Sequence, residues 1–182
     1  GWQTAEAWLD GEIAPSLSGA YLYSLLIGVL YYLFGRIPLV AQFANVLFGS
    51  FTVYLTWRLA LLISKSRRPA LIATLIAALF PTLNLYSAIT MRESAIVFFT
   101  ALSIYCFFLW LQRGRLSRIF GAVVLLLPAS ILHSGMVFIE IVYLFFFCFY
   151  HPKKKQWTVF SINTIIAIVV VIFAVTVAFS DL

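Results

Sequence analysis

Asp10, Glu12, Arg92, Glu93, His133 and Glu140 are the residues of this chain whose types could do chemistry. A carboxylate can take a proton from a hydroxyl or hold a hard divalent cation, and an arginine fork can grip a phosphate through two parallel bonds. Histidine, with its near-neutral pKa, suits proton transfer or a hydrogen bond to phosphate. These groups stand in a chain that is 64% hydrophobic and 10% charged, so each charge needs a physical reason. Adjacent Arg92 and Glu93 need one most, because an idle ion at a helix mouth gains nothing in lipid.

Thr90 to Glu93 reads T-M-R-E, the pattern of a capping box. The Thr90 hydroxyl is expected to accept from the Glu93 backbone, while the Glu93 carboxylate reaches back to the Thr90 amide. That accounts for Glu93 as a structural cap and leaves Arg92 over. Facing an interface, Arg92 is either a ligand for a lipid-linked phosphate or an anchor that snorkels to headgroups. His133 is expected at the outer end of its helix pair, on the same side as Arg92. Glu140 follows seven residues later, on roughly the same helical face and about 10 Å deeper. A carboxyl at that depth is costly unless it is protonated, paired or facing a cavity.

The elements that position these residues follow from hydropathy. With a mean hydropathy of +1.06 and long apolar runs, the chain belongs in a bilayer and not in water. The formal charge of +6 does not imply nucleic acid, because the basic residues fall in short clusters between apolar stretches. Cys106 and Cys148 lie inside apolar runs and act there as small hydrophobes. About six spans are expected, near residues 39–63, 70–86, 94–112, 117–132, 136–150 and 157–180. Several fall short of the roughly 20 residues that cross a ~30 Å core, so their ends must reach the interfaces.

Charge sets the orientation. Lys65, Arg67 and Arg68, then Arg113, Arg115 and Arg118, then Lys153, Lys154 and Lys155 fill alternate loops, the side expected to be cytoplasmic. Outside the spans, Glu6, Asp10, Glu12, Glu93 and Asp181 all fall on the other side. Residues 1–38 then form an outer segment and residues 39–182 a multi-span domain. Nothing between Gly1 and residue 38 exports that segment, so an upstream membrane helix is expected in a longer chain.

Within the outer segment, Tyr21 to Phe34 is apolar but reaches only about 21 Å as a helix. It is expected to lie at the outer interface with Tyr21, Tyr23, Tyr31 and Tyr32 keeping their hydroxyls wet. Gly35 and Pro38 end it. In the spans, Asn45 and Ser50 are expected to bond between helices and Arg58 to snorkel beside Trp57. Pro81 and Pro128 should end or kink their helices, leaving 82–90 as irregular outer chain.

An apolar helix ending in LFG, the span QFANVLFGSFTVYLTWRLALLI, the basic loop SKSRR and a second span closing on FPTLNLYSAITMRESAIVFF follow in order. This register resembles the polytopic glycosyltransferases of the GT-C superfamily, best between Gly11 and Trp110. The resemblance implies a membrane enzyme that takes a sugar from a polyprenyl-phosphate donor and transfers it to an acceptor on the outer face. It also implies an essential acidic residue in the first outer loop, expected just before Gly1, with Asp10 and Glu12 the nearest carboxylates here. Either could act as general base or as a ligand for Mg²⁺ or Mn²⁺. MRESAIVFFTALSIY followed by ILHSGMVFIEIVYLF also resembles EpsG-like and O-antigen polymerases, which use the same kind of donor.

A transporter needs polar residues at several depths, whereas only Glu140 is clearly ionisable within a span and the other polar candidates gather on the outer side. A non-catalytic assembly subunit is a third alternative. No phosphate-loop motif supports a nucleotide-sugar donor. The sequence therefore predicts an all-α bundle of about six transmembrane helices with one outer interfacial helix. It is placed in the inner (plasma) membrane with a site facing outside and Arg92 on the donor phosphate.

Overall fold

The structure is a computed structural model that describes residues 10–11, 19–89, 91–152 and 156–157. Helices make up nearly all of it. They are α1 (Gly19–Phe34), α2 (Pro38–Ser64), α3 (Arg67–Leu79), α4 (Pro81–Ala88), α5 (Glu93–Arg113), α6 (Leu116–Leu132) and α7 (Val137–Phe149). A 3₁₀ turn, Ser134–Met136, separates α6 from α7. Tyr150–His151 and Gln156–Trp157 pair as an antiparallel ladder two residues long. Trp157, expected to open a sixth span, thus belongs to that ladder, and the rest of the span lies outside the described residues.

Glycine and proline place the helix ends. Gly35 takes a φ of 87°, which a residue without Cβ adopts freely, and turns the chain from α1 toward α2. Ile37 is extended at φ −114° and ψ 115°, as the residue before a proline must be. Pro38 then opens α2 at a position where a missing N–H costs nothing. The same device divides the second expected span. Phe80 is extended ahead of Pro81, and Pro81 starts α4. Residues 82–88 are therefore helical, against the irregular chain expected there. Asn84 Nδ2 donates to the Ala78 carbonyl at 3.0 Å, satisfying a group near the break that hydrocarbon could not. Pro128, by contrast, sits inside α6 without ending it.

Two helices, Pro38–Ser64 and Glu93–Arg113, are long and apolar enough to cross a membrane by themselves. Large apolar side chains such as Leu39, Phe43, Phe51, Leu79, Phe120 and Phe138 are exposed on the outside of the bundle. That surface is stable against lipid and unstable in water. Together with the helical content it establishes an all-α membrane bundle.

The core lies where α5, α6 and α7 meet. Ile119, Ala122, Leu126 and Ala129 recur at helical spacing and are buried, and the alanines let backbones approach closely. Ser103 of α5 donates to the Ala122 carbonyl at 2.6 Å and shares a 3.0 Å hydrogen bond with the Tyr143 hydroxyl. Phe107 stacks on Tyr143 with ring centres 4.4 Å apart.

Contacts along the bundle also decide which loops share an end. Gln112 Nε2 donates to the Leu62 carbonyl at 3.1 Å, joining the C-terminal ends of α2 and α5. The clusters around Lys65 and Arg113 are therefore neighbours in space, as their alternation along the chain implies. Thr100 meets Met136, Phe107 meets Tyr143 and Trp110 meets Phe147, so α7 runs parallel to α5 toward that same basic end.

Two expectations about polar side chains are corrected. Tyr23 and Tyr31 are buried at 4% and 2% exposure, so α1 turns one face into the bundle core; only Tyr32 among the described tyrosine side chains of α1 is exposed. Arg58 donates to the Tyr54 and Tyr105 hydroxyls at 3.2 and 3.1 Å. It therefore clips α2 to α5 while remaining exposed. Ser50 bonds the Val46 carbonyl of its own helix, whereas Asn45 does bond between elements.

Candidate functional site

The end of the bundle opposite the basic loops gathers the reactive side chains. Arg92 stands at the N-cap position of α5, and the helix begins at Glu93. Its Nη1 donates to the Leu132 carbonyl at 3.1 Å. Leu132 is the last residue of α6, where carbonyls have no partner within their own helix and the dipole is negative. A guanidinium there satisfies an orphan acceptor and neutralises a partial charge in one contact. One of five N–H donors is thereby used, and the side chain is 40% exposed.

Glu93 is the first residue of α5, not the third helical position that a capping box requires. No side-chain bond caps the helix at Arg92, and Thr90 lies outside the described residues. The Glu93 carboxylate instead approaches Arg92 Nε at 3.7 Å. At the start of α5 its charge is favoured by the helix dipole. An ion pair this exposed contributes little by itself.

His133 terminates α6. Its backbone is extended, its N–H donates to the Ala129 carbonyl at 2.8 Å and its carbonyl accepts from Met136 at 3.0 Å. The imidazole lies over the following turn. A Cβ at Gly135 would come within 3.1 Å of Nε2, so the glycine makes room for the ring. This break also corrects the placement of Glu140. His133 and Glu140 are not on one helix, because the 3₁₀ turn intervenes and α7 starts at Val137. Glu140 sits in the first turn of α7, about one turn beyond the 3₁₀ break. Ser130 donates to its Oε1 at 3.0 Å, tying it to α6 one turn before His133.

Arg92 and Glu93 thus stand where α5 begins and His133 where α6 ends, while Ser130 ties Glu140 to α6. Asp10 is held elsewhere. Arg36, in the turn between α1 and α2, binds both Asp10 oxygens, one of them at 3.0 Å from Nη1. This guanidinium lowers the Asp10 pKa from its ordinary 3.8, which makes a weaker base. Glu12 lies outside the described residues. Among the described residues no three His, Cys, Asp or Glu side chains come together, and Asp10 is held by Arg36.

Asn45 and Ser130 are the partners least visible in sequence. Asn45, wholly buried on α2, accepts from the Tyr23 hydroxyl at 2.9 Å and donates to the Ile89 and Met91 carbonyls at 2.7 and 3.0 Å. An amide in an otherwise apolar run was the available signal. Nothing in the run LPASILH marks Ser130 as the partner of Glu140.

Beside Arg92 an apolar groove of about 430 Å³ opens between α1, α5 and α6. Leu26, Leu30, Ala95, Phe99, Pro128 and Leu132 contribute to its walls. Leu132 faces both features, since its carbonyl holds Arg92, and Ala95 lies one turn along α5 from that residue. Arg92 does not line the groove itself, and Leu132 is the residue that connects the two. Residues 19–180 match the family described as dolichyl-phosphate-mannose-protein mannosyltransferase.

The chain belongs to that family. It is therefore a membrane glycosyltransferase of GT-C type, and its donor class is a sugar carried on a polyprenyl phosphate. No curated protein and no solved structure matches the chain. The matched region of this mannosyltransferase-family chain takes in every described helix and the whole Arg92 end, while Asp10 and Glu12 precede it.

Proposed function

We propose that the protein transfers mannose from a dolichyl-type phosphate to an acceptor hydroxyl on the outer face of the membrane, with Arg92 holding the donor phosphate. The observation that carries this reading is the junction at Leu132, where an apolar groove meets a half-exposed guanidinium. A polyprenyl chain suits the groove, and a phosphate suits the unused donors of Arg92. His133 is exposed and follows Leu132 directly in the chain, which supports a second hydrogen bond to the same phosphate.

In the reaction, the acceptor oxygen forms a bond to the anomeric carbon while the bond from that carbon to the phosphate oxygen breaks. Negative charge grows on the departing polyprenyl phosphate, and Arg92 stabilises it where it develops. The acceptor proton passes to a carboxylate. Asp10 is the poorer choice because Arg36 binds it. Glu140 has one oxygen held by Ser130, which orients the group, and its other oxygen is the base we assign. The outer-face direction is supported by the separation of this end from the Lys65 and Arg113 clusters.

Transfer of labelled mannose by the full chain in lipid nanodiscs tests the reading. Arg92→Ala is expected to abolish transfer with folding unchanged, and normal turnover by that variant would leave Arg92 as an anchor. Labelling of a cysteine introduced at Phe138, from either side of sealed vesicles, checks the orientation. Modification only from the cytoplasmic side would overturn it.

A further inference from the structure

We infer that Asn45 is a positioning residue for Arg92, an inference that rests on the phosphate role proposed above. Its carboxamide offers an acceptor oxygen and two N–H donors, and all three are engaged. The oxygen takes the Tyr23 hydroxyl of α1, and the nitrogen reaches two carbonyls, those of Ile89 and Met91. Three elements far apart in sequence are joined through one buried side chain.

What those two carbonyls belong to gives the arrangement its meaning. They lie in the link between α4 and α5, and Met91 immediately precedes Arg92. Ile89 is extended at φ −110° and ψ 154°, so no helix ladder holds this stretch. Met91 N donates to the Ile89 carbonyl at 2.8 Å, and the Ser94 hydroxyl approaches the Met91 carbonyl only at 3.5 Å. Asn45 is therefore the strong side-chain donor that fixes the path of the chain into the N-cap of α5. Without it the Ile89 carbonyl keeps only Met91 N–H and the Met91 carbonyl keeps only the long approach of Ser94, so the link is free to shift toward other partners. Arg92 shifts with it, because its Cα is one peptide beyond the anchored carbonyl. Arg92 reaches Leu132 from that fixed start, so the guanidinium is held from two sides: by backbone through Asn45 and by side chain through α6.

The test compares binding of a polyprenyl phosphate with binding of the corresponding polyprenol to the full chain in nanodiscs. The ratio of the two affinities isolates phosphate recognition. Asn45→Ala should lower that ratio about five- to tenfold with polyprenol binding unchanged. In an Arg92→Ala background the same substitution should have no further effect, since the two residues act through one contact. A ratio that stays at the unmodified value in Asn45→Ala, or losses that add in the double variant, would overturn the inference while the phosphate role of Arg92 stands. A full ratio in Arg92→Ala alone removes the phosphate role and this inference with it. Should Asn45→Ala not fold, Tyr23→Phe decides the matter. It deletes one hydroxyl at constant ring volume and should lower the ratio about two- to threefold, again only when Arg92 is present. An unchanged ratio in Tyr23→Phe would then count against the inference.

Discussion

Arg92 caps a helix to which it does not belong, donating from Nη1 to the Leu132 carbonyl at 3.1 Å across 40 positions of sequence. The contact joins the start of α5 to the end of α6, at a residue that also lines an apolar groove. It makes Arg92 structurally useful and functionally exposed at once. A lysine in its place would keep the charge and lose the fork.

Arg92→Lys is therefore expected to fold and to bind donor weakly. A compact ammonium cannot hold Leu132 and a phosphate in the same planar geometry. Transfer assays should show KM for the donor rising about tenfold or more, the scale of one lost charge-assisted bond. Unchanged KM would show that charge alone suffices.

Glu140→Gln keeps an oxygen that can accept from Ser130 but removes the basic group. The variant should match the parent protein in thermal stability while turnover falls about 10²-fold or more, the range assigned to general bases. Equal turnover would confine Glu140 to bridging α6 and α7.

Asp10 carries a pH dependence. Arg36 depresses its folded pKa below 3.8, so the contact contributes above that value and is lost as the pH falls through the lowered one. The difference in melting temperature between the parent protein and Asp10→Asn should be constant from about pH 7 to about pH 5 and should shrink on acidification below the ordinary carboxylate range. A difference that grows on acidification would contradict the Arg36 contact.

Ser103→Ala tests the core without touching the site. The hydroxyl serves the Ala122 carbonyl and Tyr143 together, and its loss should cost about 1 kcal/mol in reversible unfolding from detergent micelles. Phosphate recognition should not change. A neutral effect on stability would mean that helix packing alone holds α5, α6 and α7 together.

Class, helical architecture and the placement of the charge clusters were legible in the sequence because each depends on local composition. Apolar runs must be buried in something, backbone in hydrocarbon must be helical, and lysine and arginine stay near one interface. The residues around Arg92 were legible as a set, since polar groups in so apolar a chain stand out. Their partners were not. Spacing alone sets Glu140 on roughly the helical face of His133, whereas a single 3₁₀ turn, Ser134–Met136, puts the two on separate helices. Tyr23 looked wet because a short helix was assigned to the interface, and its hydroxyl is buried on Asn45 instead.

By itself, then, the sequence determined that this is a helical membrane protein and which of its few polar residues needed explaining. Only the tertiary structure decided which carbonyl Arg92 binds, which serine holds Glu140 and that Arg36 occupies Asp10. The reason is physical: hydropathy and charge act along the chain, whereas a hydrogen bond between helices depends on their rotation and depth. Those follow from how side chains such as Ala122, Ser103 and Phe107 pack, and packing is a property of the assembled bundle.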